Sequence, residues 1–142
     1  MKEIHIDGES VTIEDVVAVA RNNAEVIIPK TVEKKVLQCR NFLEKCVQNK
    51  KIIYGVTTGF GALSNLYLPA DKNKQLQLNL VRSHSASVGK LLDTDIVRAM
   101  MLLRANSLAK GYSGIRTTTL HQLVEFLNRR VHPLIPEKGS VG

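Results

Sequence analysis

Tyr54 opens the segment Tyr-Gly-Val-Thr-Thr-Gly-Phe-Gly-Ala-Leu, residues 54–63, where one phenol stands beside three glycines and two threonines just after the apolar pair Ile52 and Ile53. A strand-like run that ends in such a loop often carries chemistry, because glycine reaches φ > 0 and lets backbone come close to a ligand. A phenol ionises near pH ~10 in water, so work as a base near neutrality calls for surroundings that favour phenolate, such as helix N-termini or cations. The same residues also suit an ordinary turn, with a structural tyrosine whose hydroxyl finds a hydrogen bond.

His84, preceded by Ser83, is the second candidate. A lone histidine on a helix is ordinarily a boundary residue, but its ring can donate to or accept from a ligand according to its tautomer. Cys39 and Cys46 lie seven apart inside a helical pattern, near one face and two turns apart, too far for a disulfide within one helix, so they read as reduced thiols. With His84, His121 and His132 they form no CxxC or HxxxH arrangement, and no metal is expected. Arg104, Asn106 and Tyr112 are expected to satisfy polar groups within a helical bundle. His121 and His132 receive no role.

The composition bounds what these residues can belong to. A chain of 142 residues with 44% hydrophobic content can form one domain with a real core, and no stretch has the apolar length of a membrane span. The start, Met1 to Ser10, lacks the basic and apolar regions of a signal peptide, which makes the cytoplasm the expected location. The formal charge of +7 raises nucleic acid as a partner. The charges are scattered, however, with Lys34 and Lys35, Lys50 and Lys51, and Arg129 and Arg130 on separate elements, and a solvated basic surface is the better reading.

The elements that must hold the candidates follow from periodicity. Glu-Ile-His-Ile-Asp-Gly predicts a strand turning at Asp7-Gly8, and Thr12 predicts an N-cap for a short helix ending near Asn22-Asn23, with Glu14 and Asp15 in its first turn. Glu25 to Pro29 reads as a second strand. From Thr31 to about Asn49, Val32, Val36, Leu37, Cys39, Leu43, Cys46 and Val47 keep an amphipathic helical period. Beyond Pro69 a helix capped by Asp71 is expected to pass through Leu76, Leu80 and Val81 and to stop at Gly89. The next helix, capped by Asp93 or Thr94 and ended by Gly111, is apolar on most faces, which predicts burial among other helices. Another runs from Thr117 to about Arg130 with the stripe Leu120, Val124 and Leu127. Residues 131–142 show no period and read as a tight connection.

Four stretches taken together carry a resemblance: Tyr54 to Gly61, Leu76 to Gly89, Leu102 to Arg116 and His132 to Gly142. In order and spacing they resemble the N-terminal portion of the histidine ammonia-lyase family, which belongs with the phenylalanine and tyrosine ammonia-lyases and related aminomutases. The resemblance covers nearly the whole chain. It implies a mainly α fold, a helical-bundle portion of the ammonia-lyase fold with a small N-terminal α/β element. Residues 1–62 then hold the short strands, helices and tyrosine loop, and residues 63–142 the helical region.

The resemblance also implies deamination of L-histidine to trans-urocanate and ammonia, in a homotetramer that uses a methylidene-imidazolone cofactor. The family makes that group by cyclising an Ala-Ser-Gly triplet, expected directly after the Gly-Ser-Val-Gly of residues 139–142 and absent from these residues, so the 142-residue chain alone is expected to be inactive. Tyr54 matches the family's loop tyrosine, a catalytic base. Ser83-His84 stands where these lyases read the substrate side chain: phenylalanine enzymes tend to show Phe-Leu there, tyrosine enzymes His-Leu and histidine enzymes Ser-His. His84 is thus implied to bind substrate imidazole. A phenylalanine or tyrosine ammonia-lyase or an aminomutase shares the glycine loop and stays open, as does a non-enzymatic truncated homologue acting as an interaction module.

Overall fold

The computed structural model describes residues 2–61, 64 and 66–139. Ala62, Leu63 and the motif end Ser140 to Gly142 lie outside the described residues, and with them the expected boundary between the two segments.

The N-terminal unit is β1 (Glu3–His5), α1 (Ile13–Asn22) and β2 (Glu25–Ile27). β1 and β2 pair in parallel, Ile4 opposite Val26. A parallel pair needs a crossover, and α1 supplies it. Thr12 and Asp15 close a capping box at the start of α1, and Asn23 ends it in the left-handed region at φ 54°. At the turn before α1, the amides of Ser10 and Glu9 bond the Asp7 carboxylate and lower its pKa to about 2.

Five helices stand among the described residues, the other four being α2 (Lys30–Gln48), α3 (Ala70–His84), α4 (Thr94–Ala109) and α5 (Thr117–Asn128). α4 is central, packing on α1, α2 and α5. Its Val97, Met101, Leu102, Ala105 and Ala109 join Ile4, Val19, Val26, Val32, Val36, Leu120, Val124 and Leu127 in one core, which draws on chain before and after the glycine loop. Full burial of a side chain such as Leu102 or Leu120 is worth about 1.5–3 kcal/mol, so this shared core fixes the platform from which the loop departs.

One member of the buried face of α4 is charged. Arg98 is 3% exposed, and its guanidinium donates to the carbonyls of Val19 (2.8 Å) and Leu127 (3.0 Å). Both carbonyls lie in last helical turns, of α1 and α5, where orphan acceptors and the negative end of the helix dipole favour a cation. Burial first, then the nearby Arg130, draws its pKa below the ordinary guanidinium value. Asn128, just before the C-cap of α5, donates to and accepts from the backbone of Val26 at 2.9 Å each, and so pairs the free edge of β2.

Several expectations require correction. Ile52 and Ile53 form no strand. α3 takes Pro69 as its N-cap, with Asp71 inside the first turn, and it ends at His84 rather than at Gly89. Gly89 instead lies in β3 (Val88–Leu91), which pairs antiparallel with β4 (Pro136–Lys138), in the stretch expected to be a plain connection. Both strands are short and mostly exposed, so no alternation marks them. α4 is buried on one side only, with Ile96, Met100 and Leu103 exposed. Asn106 does satisfy a backbone group, accepting from Gly8 N–H at 2.8 Å, but Arg104 and Tyr112 point to solvent. No helix among the described residues is long and apolar enough to cross a membrane.

Candidate functional site

The glycine loop begins where α2 is brought to a stop. Lys50 turns left-handed at φ 53° and Lys51 N–H returns to the carbonyl of Cys46 at 2.9 Å. The chain then makes one tight turn, in which the Ile53 carbonyl accepts from Val56 N–H at 3.1 Å and from Thr57 N–H at 3.0 Å. Tyr54 sits at the front of this turn. Gly55 follows at φ 69°, and an added Cβ there would lie 2.8 Å from the Phe60 ring, so the position needs glycine on two counts.

Two threonines stitch the turn from inside. Thr57 Oγ1 accepts from Ile53 N–H at 2.8 Å and donates to the Lys51 carbonyl at 2.7 Å. Thr58 Oγ1 accepts from Gly55 N–H at 3.2 Å and donates to the Gly59 carbonyl at 2.9 Å. Both side chains are buried. The far strand of the loop anchors them in turn: Leu68 N–H donates to the Thr57 carbonyl at 2.8 Å and Thr58 bridges Tyr67.

The phenol itself faces outward. Tyr54 is 64% exposed; its ring meets Phe60 edge-on at 5.7 Å and 81°. Its hydroxyl has no hydrogen-bond partner among the described residues. A groove of about 550 Å³ lies behind the turn, lined by Gly55 and Val56 together with Arg40, Leu43 and Val47 of α2 and Gln77 of α3, and the tyrosine ring is not part of its wall.

His84 is the last residue of α3 and is exposed. Its Nδ1 lies 2.8 Å from the Leu80 carbonyl and 3.0 Å from Ser83 Oγ. A carbonyl can only accept, so the Leu80 contact is a hydrogen bond in the tautomer that carries its proton on Nδ1, and in that tautomer Nε2 is a bare acceptor. Tyr54 and His84 are not joined by any hydrogen bond or ring contact among the described residues. Each reaches solvent from its own element.

The other candidates take structural places. Cys39 and Cys46 are free thiols, half-buried and buried. His121 Nε2 lies 2.8 Å from Glu33, linking α5 to α2, and His132 Nε2 lies 3.4 Å from Thr94. Among the described residues no group of three or more His, Cys, Asp or Glu side chains is placed to hold a metal ion. Thr57 and Thr58, which hold the turn, and Arg98, which ties three helices, are not singled out by the sequence reading. For Arg98 a signal was present, since it lies three, four and seven residues before Met101, Leu102 and Ala105 on the apolar stripe.

A family model described as aromatic amino acid lyase matches residues 11–142. Histidine ammonia-lyase of Alkaliphilus oremlandii is 47% identical over 142 residues, which is all of this chain and 28% of that protein. The chain thus spans little more than a quarter of the length of such relatives. Among solved structures, tyrosine aminomutase from Streptomyces globisporus superposes with a TM-score of 0.92 at 41% identity, over 97% of this chain and 26% of its own. Histidine ammonia-lyase from Trypanosoma cruzi superposes with a TM-score of 0.88 at 36% identity, over 99% of this chain and 27% of its own.

Proposed function

The chain belongs to the aromatic amino acid lyase family, and from that premise we propose that it is the N-terminal part of an ammonia-lyase converting L-histidine to trans-urocanate and ammonia. In this reaction the Cβ–H bond breaks, its electron pair becomes the second bond between Cα and Cβ, and the Cα–N bond breaks. The β-hydrogen is weakly acidic and ammonia leaves poorly, so a base must be placed and the amine must be activated. The family's methylidene-imidazolone supplies the activation when it is formed. Ala-Ser-Gly occurs nowhere among these 142 residues, so none of them makes the group. What this chain contributes is the base and a contact to the substrate side chain.

Tyr54 is the base, its phenolate oxygen taking the β-proton. The observation that carries this reading is the pinned turn that holds Tyr54 at the start of the segment matching the family's tyrosine loop, with the phenol 64% exposed and so within reach of a ligand. His84 reads the substrate imidazole, its Nε2 accepting from a ring N–H. The names of the relatives that match the whole chain and the Ser83-His84 pair support histidine as substrate. The full-length subunit is expected to work within a homotetramer, as the resemblance implies; the uncovered apolar side of α4 is open to the rest of its own subunit as well as to another.

The likeness to tyrosine aminomutase favours a second reading, in which the product is an isomeric amino acid rather than ammonia and an alkene. One experiment separates the two. The full-length enzyme is given L-histidine, L-tyrosine or L-phenylalanine, with urocanate followed by its ultraviolet absorbance and isomers by chromatography. Urocanate is expected as the main product. His84→Leu should cost roughly 1–3 kcal/mol of histidine discrimination, about 5- to 150-fold in kcat/KM relative to the aromatic substrates. Turnover of tyrosine to an isomer, with histidine inert, would establish the aminomutase instead.

A further inference from the structure

Tyr54 lies between two peptide units that are each held by other parts of the turn. The unit before it presents the Ile53 carbonyl to the amides of Val56 and Thr57. The unit after it presents Gly55 N–H to Thr58 Oγ1 at 3.2 Å. One step further back, Ile53 N–H is held by Thr57 Oγ1 at 2.8 Å. We infer that Thr57 and Thr58 are positioning residues for the reaction: their hydroxyls clasp the backbone on both sides of Tyr54 and so fix the direction in which its phenol is presented.

The chemistry of the clasp explains why threonine is needed. A hydroxyl offers one donor and two acceptor sites. Thr57 spends its donor on Lys51 and Thr58 spends its donor on Gly59, which leaves each oxygen turned toward an N–H beside the tyrosine. Thr57 is 3% exposed and Thr58 fully buried, and burying a hydroxyl is unfavourable unless it is bonded. Valine would fill the same space without that cost. Hydroxyls at both positions therefore serve the backbone they bond, and that backbone carries the phenol. Thr58 is the more direct of the two, since Gly55 N–H belongs to the peptide unit that Tyr54 itself forms. A base misplaced by about 1 Å loses on the order of 10²-fold in rate, so hydroxyls that hold the peptide unit after Tyr54 and the unit one step before it act mainly on kcat.

This inference rests on Tyr54 being the base, and the test keeps the two claims apart. In the full-length enzyme, kcat and KM are measured for Thr58→Val, Thr58→Ser and Tyr54→Phe and for the Thr58→Val change placed in the Tyr54→Phe background. Hydrogen exchange is measured over residues 52–60. Thr58→Val is expected to lower kcat by ~10- to 100-fold with KM within about 3-fold, and to speed exchange at Gly55. Thr58→Ser, which keeps the hydroxyl, should stay within about 3-fold of the parent. In the Tyr54→Phe background Thr58→Val should cost under about 3-fold, because no hydroxyl is left to place. If valine prevents folding, judged by circular dichroism, Thr58→Ala carries the same comparison.

A normal kcat for Thr58→Val in an enzyme that Tyr54→Phe impairs would overturn the clasp and leave the base standing. Equal losses in both backgrounds would also overturn it, since they would mark Thr58 as general scaffolding. Normal turnover in Tyr54→Phe would remove the base, and the clasp that serves it with it.

Discussion

Gly55 is the residue on which the geometry around Tyr54 leans. Its φ of 69° and the nearness of Phe60 leave no room for a side chain, and Phe60 is the ring that meets Tyr54 edge-on. Gly55→Ala should therefore strain the turn by about 1–2 kcal/mol, displace Phe60 and lower kcat of the full-length enzyme roughly 10-fold or more. Gly61→Ala makes the useful contrast, because its φ is 55° but an added Cβ meets none of the described residues within 4 Å. It should cost clearly less activity, and equal effects in steady-state kinetics would show that backbone strain alone matters. At this scale the sequence makes Tyr54 a candidate, as a phenol among glycines. The threonine hydroxyls are not legible there, because their partners are set by a turn whose hydrogen bonds no spacing rule announces.

Helices with strong local signals were read closely from the sequence. Thr12 and Asp15 carry the start of α1, and the stripe Leu120, Val124 and Leu127 carries α5. α3 departs from its sequence signals at both ends, since Asp71 has the character of a cap and Gly89 that of a stop. The helix instead follows Pro69 and ends on His84, the residue proposed to meet the substrate. β3 and β4 carry no signal in the sequence, because each is exposed and short and their pairing joins residues far apart in the chain. The tie among α1, α4 and α5 is likewise nonlocal, and it passes through Arg98. Arg98→Met keeps much of the volume but leaves two buried carbonyls without their charged donor. Denaturant unfolding should show a loss of about 2–4 kcal/mol. An unchanged midpoint would mean that the carbonyls find other partners.

The whole molecule has one shared core and an unfinished exterior. Ile96, Met100 and Leu103 of α4, with Phe42 of α2, lie open to solvent although the opposite side of α4 is fully packed. Apolar faces of this kind associate, so sedimentation of the 142-residue polypeptide should find assemblies above the monomer; a well-behaved monomer with a cooperative melt would mark an autonomous unit. The sequence showed α4 to be apolar nearly all round, which predicts burial on every side, but only the packing of α1, α2 and α5 decides which side this chain covers. Because Ala-Ser-Gly is missing from the 142 residues, the same polypeptide should form no urocanate. The full-length enzyme carries the central claim, that the phenol at the mouth of the glycine loop takes the β-proton of histidine. Tyr54→Phe retains the ring and its contact with Phe60 and removes only the hydroxyl. Urocanate formation from L-histidine by this variant, with the cofactor's absorbance verified, should fall by a factor on the order of 10²–10⁴; turnover close to that of the parent would contradict the account.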